Sequence, residues 1–326
     1  MRPAFSVIFL TTLIGAGQGL FLALYTVQIY ALFQLLPPPE ARSFYGFGSL
    51  VSVLVLAAGL LASFFHLGHP ERAWRTATQW RTSWLSREVI VLPAFIATTL
   101  LYGLAHWTNW RPSIASLPSG GLIDATILLG ALGTVLAFAL FICTAMIYAC
   151  LPFLREWHSP LTVLNFILLG GASGFTLATW FAAYAAPQVV GFLTGWALIL
   201  TVLGFAGRTW SLIRNARLRP RSTIQTAIGV KHPKLAQKSQ GAMGGSFNTR
   251  EFFHGASAST MRALLWGFPL LAFALPAVLL ALGLAIDSAV AYSSAFVIQY
   301  LGLLAERWMF FAQAKHPQNL YYQTVS

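Results

Sequence analysis

Residues 5–34 form an almost unbroken apolar run, FSVIFLTTLIGAGQGLFLALYTVQIYALFQ, in which no side chain is charged and only Gln18 and Gln28 interrupt the interior. A helix that crosses a bilayer needs about 20 consecutive apolar residues. The run is too long for the core of a signal peptide, which is about 7–15 residues. It therefore predicts a retained transmembrane helix.

Seven further apolar runs follow along the chain. The eight predicted helices cover residues 5–34, 45–66, 88–107, 123–151, 160–185, 188–207, 263–285 and 289–307. Of the 326 residues, 57% are hydrophobic and 9% are charged, whereas soluble domains carry about 25% charged residues. This composition excludes a soluble enzyme, a disordered chain and a disulfide-stapled secreted domain. The sequence predicts an all-α, polytopic membrane protein with one domain, residues 1–326.

The basic residues are distributed unevenly between the two sides of the membrane. Eight spans place both termini on one side, together with the connections 67–87, 152–159 and 208–260. That side receives 18 of the 20 Lys and Arg residues, and the other side receives Arg42 and Arg111. Because basic residues accumulate in cytoplasmic loops, we predict that both termini are cytoplasmic. Topology then explains the net charge of +12, and no nucleic-acid partner is expected.

Residues 208–260 form the one long connection between predicted helices. It contains basic residues and the stretch GAMGGSFNTREFFHG at 241–255. Loops of this length are usually functional or disordered. A solvated linker does not need aromatic residues, so we predict a docking surface for a cytoplasmic partner. Its candidate contacts are Phe247, Asn248, Arg250, Glu251, Phe252, Phe253 and His254. The alternative is an amphipathic stretch that lies on anionic lipid.

A histidine and a carboxylate come together at the cytoplasmic ends of the second and third predicted helices. Ionisable residues at this depth are functional candidates. His66 and Glu88 can hydrogen-bond a quinone carbonyl and exchange protons as electrons move. Arg72 and Arg87 flank the pair and complete the candidate quinone site. In the structural alternative, Glu88 pairs with Arg87 or an arginine of the 72–81 loop, and His66 is a helix-end cation.

Other redox groups and other functional classes find less support in the sequence. A bis-histidine haem needs two ligands at matching depth, whereas His66 and His106 end helices at opposite membrane faces. Cys143 and Cys150 lie two helical turns apart, too far for a disulfide, and an iron–sulfur cluster usually takes four thiolates. We therefore expect no haem, iron–sulfur cluster or molybdenum in this chain. A transporter is the alternative from another class, but the charges concentrate at helix ends rather than at mid-membrane.

Three segments resemble one known family when they are taken together. They are HLGHP at 66–70 with LSRE at 85–88, GGSFNTREFFHG at 244–255, and AERWMFFA at 305–312. These are similar to the membrane anchor subunit of the dimethyl sulfoxide (DMSO) reductase family. The resemblance implies a haem-free anchor in a bacterial cytoplasmic membrane that exchanges electrons with ubiquinone or menaquinone. It also implies a four-cluster iron–sulfur subunit and a molybdopterin catalytic subunit as partners, and assigns the quinone site to His66 and Glu88.

The first residues of the chain indicate a branch within that family. The stretch RPAFSVIFLTT at 2–12, with GAGQG at 15–19, looks more like the branch that oxidises sulfite in the cytoplasm. This likeness implies electron flow from sulfite to quinone. The alternative is an anchor that oxidises menaquinol for DMSO reduction. In either case the chain is expected to be one subunit of an oxidoreductase rather than a complete enzyme.

Overall fold

The structure is a computed structural model that describes residues 1–116, 121–220, 222–236, 238 and 251–321. Within these ranges, eight helices are long and apolar enough to cross a membrane, which confirms the predicted number. They are α1 (Phe5–Leu32), α2 (Ala41–Phe64), α3 (Trp84–Trp107), α4 (Ala125–Ala149), α5 (Pro160–Ala185), α6 (Pro187–Ala216), α7 (Ala258–Ile286) and α8 (Ala289–Ala312). One short hairpin, β1 (Ser113–Ser116) and β2 (Leu122–Asp124), joins α3 to α4. The all-α fold class is confirmed.

Polar side chains mark the point where several helices begin. Each accepts a hydrogen bond from a backbone N–H in the first turn of its helix, and the set comprises Ser83, Asp124, Ser159, Ser257 and Ser288. Such caps satisfy N–H groups that the first turn leaves without a partner. The cap, rather than the first long apolar run, therefore sets the helix start. For this reason α3 begins at Trp84 rather than at residue 88.

Helix α6 continues past the predicted end at residue 207 and reaches Ala216. The predicted helix stopped immediately before Arg208, the first charged residue after this apolar run. In the structure Arg208 is only 3% exposed, so its charge is held inside the bundle and does not end the helix. The predicted 208–260 loop therefore begins as a continuation of α6, and it includes a short helix at Ile224–Ile228.

Helices α1 and α5 form the centre of the bundle, and they are the most buried of the eight. Their backbones touch along glycines. A Cβ added at Gly19 would overlap the backbone of Gly170 and Gly174, and one at Gly15 would come within 3.3 Å of Gly170. Small residues allow membrane helices to approach this closely. GAGQG at 15–19 is therefore a packing surface within a helix.

Both described chain ends lie at one end of the bundle, which we call the terminal face. The Met1 amine donates a hydrogen bond to the Ala314 carbonyl at 2.8 Å. The starts of α3 and α5 and the ends of α2, α4 and α6 share this face, because consecutive helices alternate in direction. The hairpin of β1 and β2 lies at the other end, which we call the opposite face.

Candidate functional site

Glu88 is buried on the second turn of α3, near the terminal face. Its side chain is 6% exposed, and its Oε1 accepts a hydrogen bond from the Thr144 hydroxyl of α4 at 2.5 Å. Within the described residues, Oε2 accepts no hydrogen bond and Glu88 forms no ion pair. A buried carboxyl without a cation is favoured in its neutral, proton-carrying form. This carboxyl is therefore suited to exchanging protons.

Arg87 does not pair with Glu88, so that structural alternative is wrong. Its guanidinium donates to the Trp80 and Arg81 carbonyls at 2.9 and 2.8 Å and lies 4.2 Å from the ring centroid of Trp84. These contacts turn the positive charge away from the bundle interior. Arg87 fixes the connection before α3 and leaves Glu88 uncompensated.

His66 lies two residues beyond the end of α2, on the terminal face. Its side chain is exposed and forms no hydrogen bond with the described residues. Partial burial lowers the pKa of the imidazole from its ordinary value of 6.5. The ring is therefore mostly neutral at pH 7, with one N–H to donate and one nitrogen to accept. No hydrogen bond joins His66 directly to Glu88 in the described part of the chain.

Arg72 lies on an exposed 3₁₀ helix, Pro70–Gln79, which connects α2 to α3. Its Nε is 3.7 Å from a carboxylate oxygen of Glu71, which also contacts His69 at 3.0 Å. The Ser86 hydroxyl donates to a carbonyl of this connection and holds it against α3. Of the four residues predicted for the quinone site, only Glu88 is buried.

A buried ion-pair cluster, Arg208, Glu306 and Arg307, lies between α6 and α8 near the terminal face. Arg208 Nε is 2.6 Å from Glu306 Oε1, and Arg307 Nε is 3.8 Å from Glu306 Oε2. All three side chains are at most 5% exposed. In sequence alone, the adjacent charges of Glu306 and Arg307 fit either an internal pair or a contact with a partner. The structure makes them an internal pair and adds Arg208, which sequence reasoning assigned to a loop.

The described part of the predicted docking segment folds against its own chain. The Phe252 ring stacks on His316, with centroids 3.8 Å apart and planes at 11°. The backbone N–H of Arg2 donates to the Glu251 carbonyl at 2.9 Å, and Asn319 Nδ2 donates to the Phe252 carbonyl at 3.1 Å. Residues 251–254, which include Phe253 and His254, are thus held on the terminal face. Three other predicted contacts, Phe247, Asn248 and Arg250, lie outside the described residues.

Polar residues also form a chain at the opposite face. The Tyr102 hydroxyl donates to Gln28 Oε1 at 2.7 Å, and Gln28 Nε2 donates to Thr126 Oγ1 at 2.6 Å. Thr126 in turn donates to Asp124 at 2.6 Å. His106 is 2% exposed and stacks on Tyr45 at the same end. It is therefore separated from His66 by the thickness of the bundle.

Two comparisons with known proteins agree along the chain. The family model described as DMSO reductase anchor subunit (DmsC) matches residues 1–314. The C subunit of the sulfite dehydrogenase of Allochromatium vinosum is 57% identical over 326 residues, and the match covers 100% of both chains. The matched region therefore includes the positions of Glu88, His66 and the buried ion-pair cluster.

Proposed function

Because the chain belongs to the DMSO reductase anchor subunit (DmsC) family, we propose that it passes electrons from sulfite, oxidised by partner subunits, to a quinone in the membrane. It is a membrane anchor subunit of a DMSO reductase family oxidoreductase. In the proposed reaction, sulfite, water and quinone give sulfate and quinol. Two electrons leave sulfur, and the oxygen comes from water. Two protons are released at the catalytic subunit and two are taken up at the quinone site.

The observation that carries the site assignment is the environment of Glu88. A quinone supplies two-electron, two-proton carrier chemistry when it is bound. Glu88 can hold a proton at Oε2, the oxygen that Thr144 does not contact, and exchange it with an adjacent ligand oxygen. Such proton transfer by a positioned side chain is worth about 10²–10⁴-fold in rate.

The residues near the end of α2 also suit a quinone head group. His66 can donate an N–H to a carbonyl oxygen, because its side chain is not engaged by the described residues. Phe64 and Phe65 are 43% and 80% exposed, and they provide apolar surface for a ring and an isoprenoid tail. In this arrangement His66 orients the head group and Glu88 exchanges the proton. Arg72 and Arg87 frame the approach from the terminal face.

We assign the terminal face to the cytoplasm of a bacterium. Arg208 and Arg307 are buried and do not count as loop charges, but the excess of basic residues on this side remains without them. The positive-inside rule then supports cytoplasmic termini. His66 and Glu88 lie on this face, so electrons from a cytoplasmic partner reach a quinone bound beside them without crossing the bilayer.

A four-cluster iron–sulfur subunit is the proposed neighbour at the terminal face, and a molybdopterin subunit lies beyond it. Residues 251–254 and the exposed connection Pro70–Gln79 both lie on this face. Trp74, 67% exposed, lies on that connection, and Trp80, 53% exposed, directly follows it. Aromatic residues and arginines are enriched at protein interfaces. We therefore propose that the partner docks on both segments. Phe252, through its stacking on His316, holds residues 251–254 in place for this contact.

The direction of electron flow is assigned from the relative whose name specifies a sulfite dehydrogenase. The alternative within the family is a menaquinol-oxidising anchor of a DMSO reductase. Membranes with and without this chain distinguish the two, through sulfite-dependent ubiquinone reduction and DMSO-dependent quinol oxidation. The proposal expects sulfite-driven activity that disappears without the chain. Activity with DMSO alone would reverse the direction and overturn the sulfite assignment.

A further inference from the structure

A cavity inside the bundle connects the partner of Glu88 with the buried ion-pair cluster. Thr144, which donates to Glu88, and Arg307 both line it. Four further polar side chains lie among the apolar residues of its wall, and they are Thr11, Thr12, Gln18 and Ser173. The cavity has room for about one ordered water molecule. We call it the Thr144 cavity.

A second cavity continues from the same arginine toward the terminal face. Arg307, Arg208 and Glu306 line it, together with Asn165, Ser211 and the half-buried Glu156. We call it the Glu156 cavity, because Glu156 belongs to the connection between α4 and α5 on the terminal face. Arg307 and Phe166 line both cavities, so the cavities meet at these two residues, where the Arg307 guanidinium lies 3.9 Å from the Phe166 ring centroid.

Several polar atoms around the Glu156 cavity have no protein partner. Arg208 Nη2 and Asn165 Oδ1 are buried without a hydrogen bond from the described residues. Buried polar groups are nearly always satisfied by protein or by ordered water. These atoms therefore mark positions for bound water between Glu156 and the ion-pair cluster.

The charges along this path balance. The formal charges of Glu156 and Glu306 cancel those of Arg208 and Arg307. An uncompensated arginine would repel a proton, as fixed positive charges do in pores that exclude cations. With two carboxylates and two guanidiniums, the lining of the two cavities has no net positive charge to oppose proton movement.

Over the next two turns of α3, the interior beyond Glu88 is apolar. On the same face of α3, Leu92 is 4% exposed and Phe95 is fully buried. The Phe95 ring meets Phe21 of α1 edge to face, with centroids 5.3 Å apart. These side chains separate Glu88 from the polar chain that begins at Tyr102. The cavities that begin at Thr144 therefore lead toward the terminal face.

From this arrangement we propose that the two cavities form an internal proton inlet from Glu156 to Glu88. Ordered waters held by Thr11, Thr12, Arg307 and Glu306 relay protons, and each proton that leaves Glu88 is replaced from the terminal face. Only O–H bonds form and break along the path. Glu306 and Arg307 act as positioning residues that hold water. The inlet rests on the proposed function for its destination, the quinone site.

Hydrogen–deuterium exchange of the Glu88 carboxyl tests the inlet without quinone turnover. The intact complex is perfused with D₂O, and the infrared carbonyl band that disappears in Glu88→Gln reports the exchange. Two variants alter the path: Thr11→Val with Thr12→Val, and Glu156→Gln. The control is Thr179→Val, because Thr179 is buried, bonds within its own helix and lines neither cavity.

The proposal expects exchange at Glu88 to slow by about tenfold or more in both path variants. The double valine variant removes two hydroxyls that bind bridging water, and Glu156→Gln removes the carboxyl that takes up protons at the entrance. The Thr179→Val control should exchange at the original rate. Equal rates in all four proteins would overturn the inlet, and so would the absence of any carboxyl band assignable to Glu88. Because no quinone is reduced in this experiment, loss of the inlet would leave the sulfite:quinone activity to be judged separately.

Discussion

The Thr144 hydroxyl donates a hydrogen bond to Glu88 across the interface of α3 and α4, with 2.5 Å between the oxygens. The two residues are 56 positions apart in the chain. This bond holds Oε1 of the carboxyl in place and leaves Oε2 for proton exchange. The contact joins the proposed quinone site to the Thr144 cavity, and several expectations depend on it.

Replacing Thr144 by valine should impair quinone turnover while retaining the side-chain shape. Loss of the hydroxyl leaves Glu88 without its donor, at a cost of about 1–3 kcal/mol. We expect a turnover rate about tenfold lower, since each ~1.4 kcal/mol changes a rate tenfold. Thr144→Ser keeps the hydroxyl and should retain most activity. Steady-state assays of sulfite:quinone turnover compare the valine and serine variants. Equal turnover rates would show that the Thr144 hydroxyl does not contribute to turnover.

Glu306→Gln should destabilise the subunit strongly. The change leaves Arg208 and Arg307 buried without a counter-charge, which typically costs about 3–5 kcal/mol. Glu71→Gln is the control, because Glu71 forms an exposed pair with Arg72 at 3.7 Å worth at most about 1 kcal/mol. Thermal unfolding of the purified complex measures both. Similar unfolding temperatures for the two variants would contradict the structural role of the cluster.

Phe252→Ala should weaken assembly with the partner subunits. The stacked rings of Phe252 and His316 hold residues 251–254 on the terminal face, and such stacking contributes ~0.5–1.5 kcal/mol beyond burial. We expect markedly less of the partner subunits to co-purify with the membrane fraction. Phe5→Ala, a change at a 66% exposed site on α1, is the control and should assemble normally. Normal assembly of both variants would show that Phe252 does not contribute to docking.

The carboxylate of Glu40 caps the start of α2 at the opposite face and should give a pH-dependent contribution to stability. Hydrogen bonds from Ser43 and then Arg42 hold the pKa of this carboxyl below its ordinary value of 4.5. Because the folded pKa is lowered, the stabilisation is fully present above pH 4.5 and is lost as pH falls through the folded pKa.

Glu40→Gln should therefore lower the free energy of unfolding by about 0.5 kcal/mol at neutral pH, the low end for a capping residue because Glu40 is exposed. The difference should shrink toward zero in acid. Unfolding temperatures of both proteins across this pH range provide the measurement. A difference that stays constant with pH would mean that the carboxylate charge does not contribute.

Much of the architecture could be predicted because membrane spans are local features of the sequence. Eight apolar runs are visible without tertiary information. The predicted end of α6 was wrong because the charge of Arg208 is neutralised by Glu306, almost 100 residues away in the chain. Residues that meet only in the folded bundle leave no local signal.

The candidate site was predictable to a similar extent. The sequence places Glu88 at the start of a helix, and this fixes its depth in the membrane. The sequence does not identify Thr144 as its partner, because Thr144 is one of several hydroxyl residues on an apolar helix. The contacts of Arg87 were ambiguous because two adjacent residues of opposite charge can pair or point in different directions. In the structure, the Trp80 and Arg81 carbonyls bind the Arg87 guanidinium, so it does not pair with Glu88. The two cavities depend on packing among five helices, which no linear pattern reports.

The central claim, that Glu88 exchanges protons with the quinone, is tested most directly by Glu88→Gln in the assembled complex. Two activities are measured side by side: sulfite-dependent ubiquinone reduction, and sulfite-dependent reduction of ferricyanide, a soluble acceptor that can take electrons from the partner subunits. The account predicts that quinone reduction falls by about a hundredfold or more while ferricyanide reduction is unchanged. Quinone reduction at the original rate would contradict it.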